Sequence, residues 1–280
     1  ILRHVQKGIP AIFNVQDIFP ENAVYSGKMK AEGLVYKCFA FMQRHAYRYA
    51  SKIITISEDM KDQLVEIGAE ADKVEVVYNW SYRDTMYSPE EIDYSCLAGI
   101  IDRSKFNVVY AGNIGLMQNV EIVIRAAAQM KDEKDICFHV IGDGMYRKKL
   151  EQMAIDLQAD NVAFHDMMGS DCASAIYSAA DVNVIPLAKD IYRTALPSKT
   201  ATCLACGKPI VFAIGKESKF GQQVHDQIAA RVIASDDVMG LCAAINKVKR
   251  SSDNMKNQAF FMKGFAKTEN SSQYAKIITQ

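Results

Sequence analysis

The sequence carries no net charge, because 33 Lys and Arg stand against 33 Asp and Glu in 280 residues. That balance removes the long-range field a duplex nucleic-acid binder uses, so nucleic acid is not the expected partner. Long apolar runs are missing as well. "VNVIPLA" and "KPIVFAI" are the longest, far short of the roughly 20 residues a membrane-spanning helix needs. A disulfide framework is lacking too: seven cysteines, an odd number, spread from Cys38 to Cys242, read as small buried hydrophobes of a reducing, cytoplasmic compartment. Cys203 and Cys206 have C-x-x-C spacing, but no second pair or suitable His accompanies them, and the apolar helical segment around them argues for packing. Neither G-x-G-x-x-G nor the Walker Gly-Lys-Ser/Thr is present, and no internal repeat or low-complexity tract appears. The opening "ILRHVQKGIPAIFNV" has no initiator Met and runs from a helix end through a Gly-Ile-Pro turn into a strand. No signal peptide has that order, and the expectation is a chain that starts inside a domain.

What the sequence does have is alternation. Short β-branched runs, "PAIFNV", "KIITIS", "VEVVYN", "FNVVYAG", "ICFHVIGDG", "NVAFHD", "DVNVIPL", "KPIVFAI" and "AARVIA", are separated by segments with apolar residues at helical spacing, such as "NVEIVIRAAAQM" and "YRKKLEQMAIDLQA". Strand-helix alternation predicts an α/β protein with doubly wound parallel sheets buried on both faces. At 280 residues and 49% hydrophobic content, two domains are the better prior. A stretch without strand pattern at about 80–105, carrying Pro and polar clusters, predicts the linker. Residues 1–100 then form the later part of one domain plus linker, and residues 101–280 a complete second domain closed by a packing helix in "NMKNQAFFMKGFAK".

Three segments carry candidate chemistry. In "VVYAGNIGLMQNVEIVIRAA", Gly112 and Gly115 bracket Asn113 between a strand and a helix, where loop amides favour an anion; a plain packing turn fits equally well. The Gly142-Asp143-Gly144 turn reads as a tight turn needing no ligand. In "TALPSKTATCLACGKPIVFAIG", Pro197 suits a first helical position, Ser198 can cap an end amide, and Lys199 projects from the first turn. A cation there opposes the helix dipole by a few tenths to ~1 kcal/mol unless an anion shares the site. The alternative is a solvated Lys with a snorkelled stem. His139, His4, His45 and His225 lack ligand spacing and read as structural, with His165 the exception. Asp17, at a strand's carboxyl end, is either a cleft carboxylate or a cap on the "IFPEN" turn.

The order "YAGNIG…QN", "VIGDG", "NVAF", "AADVNVIPL" and "LPSKTATCLACGKPIV", preceded by "FNVQDIFPENAVYSG", "ASKIITISEDMKDQL" and "KVEVVYNW", resembles the retaining glycosyltransferases of the GT-B fold, family 4. More narrowly it is similar to the bacterial N-acetyl-L-fucosamine transferase group of surface-polysaccharide assembly. The resemblance covers nearly the whole chain and implies two Rossmann-like domains facing a cleft, the N-terminal one truncated. It implies a UDP-sugar donor, with the sugar in that group an N-acetylated amino sugar, and a lipid-linked or saccharide acceptor in capsule, O-antigen or exopolysaccharide synthesis. No cofactor or metal is implied, and no Asp-x-Asp occurs in the chain. The location implied is the cytoplasmic face of the membrane; "FAFMQRHAYRYASK" fits both a peripheral contact there and a domain-packing helix.

Carried over by position, Gly112, Asn113, Gly115 and Gln118 would face the donor diphosphate and sugar. His165 and Asp166, after Phe164, would border the uracil through backbone contacts. Thr194, Leu196, Pro197, Ser198 and Lys199 would close over the donor, Thr202 would lie beside the ribose, and Gln16 and Asp17 would enter from the acceptor side. The chain departs from the broad family where its two glutamates fall on Thr194 and Thr202, its loop cations on Asn113 and Gln118, and its acceptor-side His on Gln16. Lys199 and then Arg193 are the remaining cations for a leaving diphosphate, and Lys199, Asp17 and Arg193 are the catalytic candidates. Two rivals share the pattern: a UDP-sugar 2-epimerase, which needs acid/base carboxylates that the sequence does not place, and a non-catalytic nucleotide-sugar-binding partner subunit.

Overall fold

The computed structural model describes residues 9–227, 230–250 and 258–279; His4 and the first part of the expected tail helix (254–257) lie outside the described residues. The chain enters on strand β1 (Ile12–Val15), passes helix α1 (Glu21–Tyr25) and the long helix α2 (Leu34–Tyr49), and returns on β2 (Lys52–Thr55). Helix α3 (Glu58–Ile67) leads on to β3 (Val74–Val76). Its ends are written locally. The Ser57 side chain accepts the Met60 amide at 3.1 Å, and Gly68, at φ 118°, closes the last turn in the left-handed region a glycine adopts without strain. Strands β1, β2 and β3 form a parallel sheet in that order.

The second unit repeats the pattern with β4 (Phe106–Ala111), α4 (Glu121–Gln129), β5 (Ile136–Ile141), α5 (Arg147–Asp156), β6 (Val162–His165), α6 (Ala173–Ala179), β7 (Val182–Pro186), α7 (Lys199–Ala205), β8 (Ile210–Ala213), α8 (Lys219–Gln227), β9 (Ala230–Ile233) and α9 (Val238–Arg250). Its six strands are parallel in the order β6-β5-β4-β7-β8-β9. The order reverses between β4 and β7, and the loops leaving those two strands splay apart to opposite faces, opening a crevice at their carboxyl ends. Every residue of β7 and β8 is buried, which is why these strands read as continuous apolar runs and not as alternation.

The tail differs from the expected single helix. Among the described residues it forms α10 (Gln258–Gly264) and α11 (Lys267–Thr279). Buried Asn270 donates to the Gly264 carbonyl at 2.7 Å, sealing the end of α10, and to the Tyr78 carbonyl at 2.9 Å. The tail thus returns to the first unit, with Phe261 and Phe265 in one apolar cluster that also holds Ile53, Ile56 and Phe212 from the two sheets. A second cluster, built on Val108, Phe138, Val123 and Ile245, fills the opposite face of the six-stranded sheet.

Candidate active site

Both sheets point their carboxyl ends at one cleft of about 870 Å³. The first unit contributes Gln16 and Asp17 after β1, Ile56 after β2, and Asn79, Trp80 and Tyr82 after β3. The second contributes Gly112, Asn113 and Gln118 after β4, Leu187 and Leu196 after β7, and the run Pro197, Ser198, Lys199 and Thr202. Asp17 and Lys199 are the charged side chains among the described residues that line it.

Lys199 is half-buried in the cleft wall and is not the fully solvated side chain of the alternative that the sequence leaves open. Its Nζ lies 3.9 Å from the centroid of the Tyr110 ring, directly beneath Gly112, where a Cβ would come within 2.8 Å of it. Burial is the largest influence on this ammonium and lowers its pKa from 10.5 to about 8; the Cys203 thiol opposes that, and no carboxylate acts on it. A desolvated cation held by a ring face and no anion is far from its preferred state. The helix start itself departs from expectation. Ser198 sits in helical conformation at φ −59°, ψ −28° and its hydroxyl makes no capping bond, because a capping side chain reaches back only from extended backbone. Helix α7 begins at Lys199, so Pro197 precedes the helix and does not occupy its first position.

The loop after β4 is tied in place by its own side chains. The buried Tyr110 hydroxyl donates to the Asn113 carbonyl, while Gln118 Oε1 accepts from Asn113 Nδ2 at 3.0 Å and from the Gly115 amide at 3.1 Å. The turn after β5 locks into it. The Gly112 amide bonds the Ile141 carbonyl (2.9 Å) and the Ile114 amide bonds the Asp143 carbonyl (2.8 Å). Gly142, at φ 151°, lies against the Gly112 carbonyl oxygen with no room for a Cβ. Asp143 caps the Gly144 amide at 2.7 Å, the tight-turn role its setting suggests.

On the first unit, Asp17 bridges to Ala195 across the cleft and accepts from Asn22 Nδ2 at 3.0 Å. Desolvation pushes its carboxyl up, with the Asn22 bond opposing. The capping alternative therefore takes a side-chain form, Asn22 to Asp17, within the "IFPEN" turn.

Lys199, Asp17, Gln16, Gly112, Asn113, Gln118, Leu196, Pro197, Ser198 and Thr202 thus come together in the cleft. The other candidates do not line it. Arg193 turns away and its guanidinium pairs with Glu66 of α3. Thr194 is buried, its hydroxyl donating to the Ile191 carbonyl at 3.2 Å and its carbonyl accepting the Ile18 amide at 3.0 Å. Gly115 is engaged by Gln118. His165 stacks on His139, with Nε2 3.1 Å from His139 Nδ1, while His139 Nε2 meets Asn107 Oδ1 at 3.0 Å. Burial lowers the His139 pKa to about 4, which leaves that ring neutral near pH 7, and burial also holds His165 below the ordinary imidazole value. Asp166 is held by Arg147, whose Nη1 also reaches the Gly142 and His165 carbonyls.

Sequence reasoning missed Tyr110, Arg147, Trp80 and Tyr82. Tyr110 reads as ordinary strand core; its one signal is its place two residues before the loop glycine, on the strand that feeds the crevice. Trp80 and Tyr82 lie in the stretch that shows no strand pattern, where nothing marks them as facing a cleft.

Two parallel α/β units opposing their strand ends across one cleft define the GT-B architecture. The chain belongs to the glycosyl transferases group 1 family, whose model matches residues 105–251, and residues 1–80 match a glycosyl transferase 4-like domain. It is similar to the probable glycosyltransferase WbjE of Pseudomonas aeruginosa (22% identical over 241 residues, 86% of this chain and 60% of the relative). It is also similar to the putative colanic acid biosynthesis glycosyl transferase WcaI of Escherichia coli K12 (28% over 199 residues, 70% and 48%). The chain thus spans about half to three fifths of these relatives. Among solved structures it resembles Anabaena HepE, crystallised with UDP-glucose (TM-score 0.76, 18% identity, 96% of this chain and 72% of that one). The sucrose-phosphate synthase of Thermosynechococcus elongatus shares the fold as well (0.77, 14%, 100% and 69%). Among the described residues no helix is long and apolar enough to cross a membrane.

Proposed function

We propose that the protein is a retaining, metal-independent glycosyltransferase that moves a sugar, an N-acetylated amino sugar in the narrowest reading, from a UDP-sugar to a lipid-linked saccharide acceptor in surface-polysaccharide synthesis. The observation that carries this is Lys199: a cation desolvated on Tyr110, free of any carboxylate, placed at the cleft beside the Gly112–Asn113 turn. A diphosphate is the anion that satisfies it. As the anomeric C–O bond to UDP breaks, charge grows on the departing phosphate, and an ammonium already aimed there needs no reorganisation. The acceptor oxygen attacks from the same face and its proton passes to the leaving phosphate oxygen. Asp17, across the cleft, is the acceptor-side carboxylate of this scheme. Double displacement needs a second well-placed acid, and Asp17 is the one carboxylate among the described residues lining the cleft, which also weighs against an epimerase. A peripheral membrane location belongs to the same proposal, supported by α2, which exposes Leu34, Phe41 and Met42 beside Lys37 and Arg44.

Calorimetry with UDP, GDP and ADP, without added metal, tests the reading. UDP is expected to bind in preference, and Lys199→Ala to weaken it at least tenfold, on the order of the ≥1.4 kcal/mol of a charge-assisted contact. Equal affinity for the three nucleotides, or a Lys199→Ala protein that binds UDP as the parent does, would overturn it.

A further inference from the structure

The segment after β3 is held from behind and bare in front. The buried Ser81 amide donates to the Phe265 carbonyl at 2.9 Å, the Lys267 amide reaches the Arg83 carbonyl at 3.0 Å, and Asn270 holds the Tyr78 carbonyl at 2.9 Å. With Ser81 turned inward, its neighbours Trp80 and Tyr82 both line the cleft. Trp80 is braced edge-on by Tyr274 of α11, ring centroids 6.0 Å apart. Tyr82 is 94% exposed. Rigid backbone presenting two aromatic rings to a cleft, with one ring left uncovered, is the arrangement of a binding wall and not of a core.

We infer that Trp80 and Tyr82 form the stacking wall of an acceptor-sugar subsite, an inference that rests on the glycosyltransferase reading above. A pyranose has one face of C–H groups and a rim of hydroxyls. The rings receive the C–H face, and the Gln16, Asn79 and Asp17 side chains, in the same cleft on the same unit, receive hydroxyls. Asp17 already accepts from Asn22, and Gln16 Nε2 donates to Asn14 Oδ1 at 2.7 Å, but a purely apolar ligand would desolvate the remaining donor and acceptor sites of all three groups without pairing them. The donor end is accounted for separately, by Lys199, Gly112 and Asn113 of the second unit, so a sugar on this wall is the other substrate.

Trp80 is the single tryptophan of the chain, so its emission reports this wall directly. Chitotetraose, added to protein saturated with UDP, is expected to change that emission saturably. Tyr82→Ala is expected to weaken the saccharide about fivefold or more, the size of one aromatic contact, and Tyr82→Phe to retain it. Calorimetric UDP affinity stays unchanged in both variants, which also shows that they fold. UDP binding with no response of Trp80 to chitotetraose, or with an identical response in Tyr82→Ala, overturns the subsite and leaves the donor reading standing. Failure of the parent protein to bind UDP overturns the glycosyltransferase reading and the subsite with it.

Discussion

Lys199 shows how one residue couples burial to ligand affinity. Folding moves its ammonium onto the Tyr110 ring and lowers its pKa from 10.5 to about 8. Between those values the unfolded chain binds the proton and the folded chain does not, so the contribution of this one group to the stability of the unliganded protein is expected to rise with pH from 8 to 10.5. Buried thiols such as Cys203 and Cys206, whose pKa is raised, act in the opposite sense, so the Lys199 part is read as the difference in pH dependence between the parent and Lys199→Met. A bound diphosphate reverses the balance by favouring the charged form. UDP binding above pH 8 is therefore expected to take up a proton and to weaken as pH rises, approaching tenfold per unit. Calorimetry in two buffers of different ionisation enthalpy reads the proton directly. Lys199→Met is expected to lose both the uptake and the slope; a slope that survives in it would assign the linkage to another group.

At the scale of elements, the two loops that make the donor end are one interlocked piece. The turn after β5 fits under the loop after β4 because Gly142 and Gly144 have no Cβ: one would strike the Gly112 carbonyl oxygen, the other that of Ile114. Gly142→Ala, at φ 151°, is expected to cost about 2–4 kcal/mol, strain and overpacking together, read as a lowered Tm. Because the displaced atom belongs to Gly112, UDP affinity should fall with it; loss of stability at full UDP affinity would separate the turn from the site. Much of this scale was legible in the sequence. Among the described residues all nine strands lie within the β-branched runs quoted at the outset; β7 and β8 are buried on both faces and so read as apolar runs, while β1 at the edge of its sheet exposes Phe13 and Asn14. The pairing of Lys199 with Tyr110, and the exit of Arg193 and Thr194 from the cleft, were not legible. Those depend on which strand lies beside which, and β4 and β7 become neighbours only through the crossover.

For the whole molecule, the decisive contacts run between the two units. Asp59, Asp62 and Glu66 are spaced i, i+3, i+7 on α3, hence on one face. They meet the start of α8, Lys219 and Arg193 of the second unit. Asp59 is the buried member: its carboxylate accepts the Ser218 hydroxyl at 2.9 Å and the Lys219 and Phe220 amides at 2.8 and 3.0 Å. It caps a helix of one unit from a helix of the other, so rotation of the units must break those bonds or carry α3 and α8 together. Removing it leaves two amides and a hydroxyl without their acceptor. Asp59→Ala is expected to cost roughly 3–5 kcal/mol, from about 1–3 kcal/mol for each buried donor left without its acceptor, whereas Asp62→Asn and Glu66→Gln, exposed ion pairs, should each cost about 1 kcal/mol or less and fade in salt. Its effect on function should also differ in kind from that of Lys199→Ala. The donor end, with Gly112, Asn113 and Lys199, lies within the second unit, while Asp17, Trp80 and Tyr82 reach the cleft from the first. A loosened Asp59 contact should therefore leave UDP affinity within about twofold, a few tenths of a kcal/mol, while small-angle scattering records a broader spread of unit orientations and any sugar transfer falls. If UDP affinity collapsed as far as in Lys199→Ala, the donor site would depend on the relation of the two units and not on the second alone.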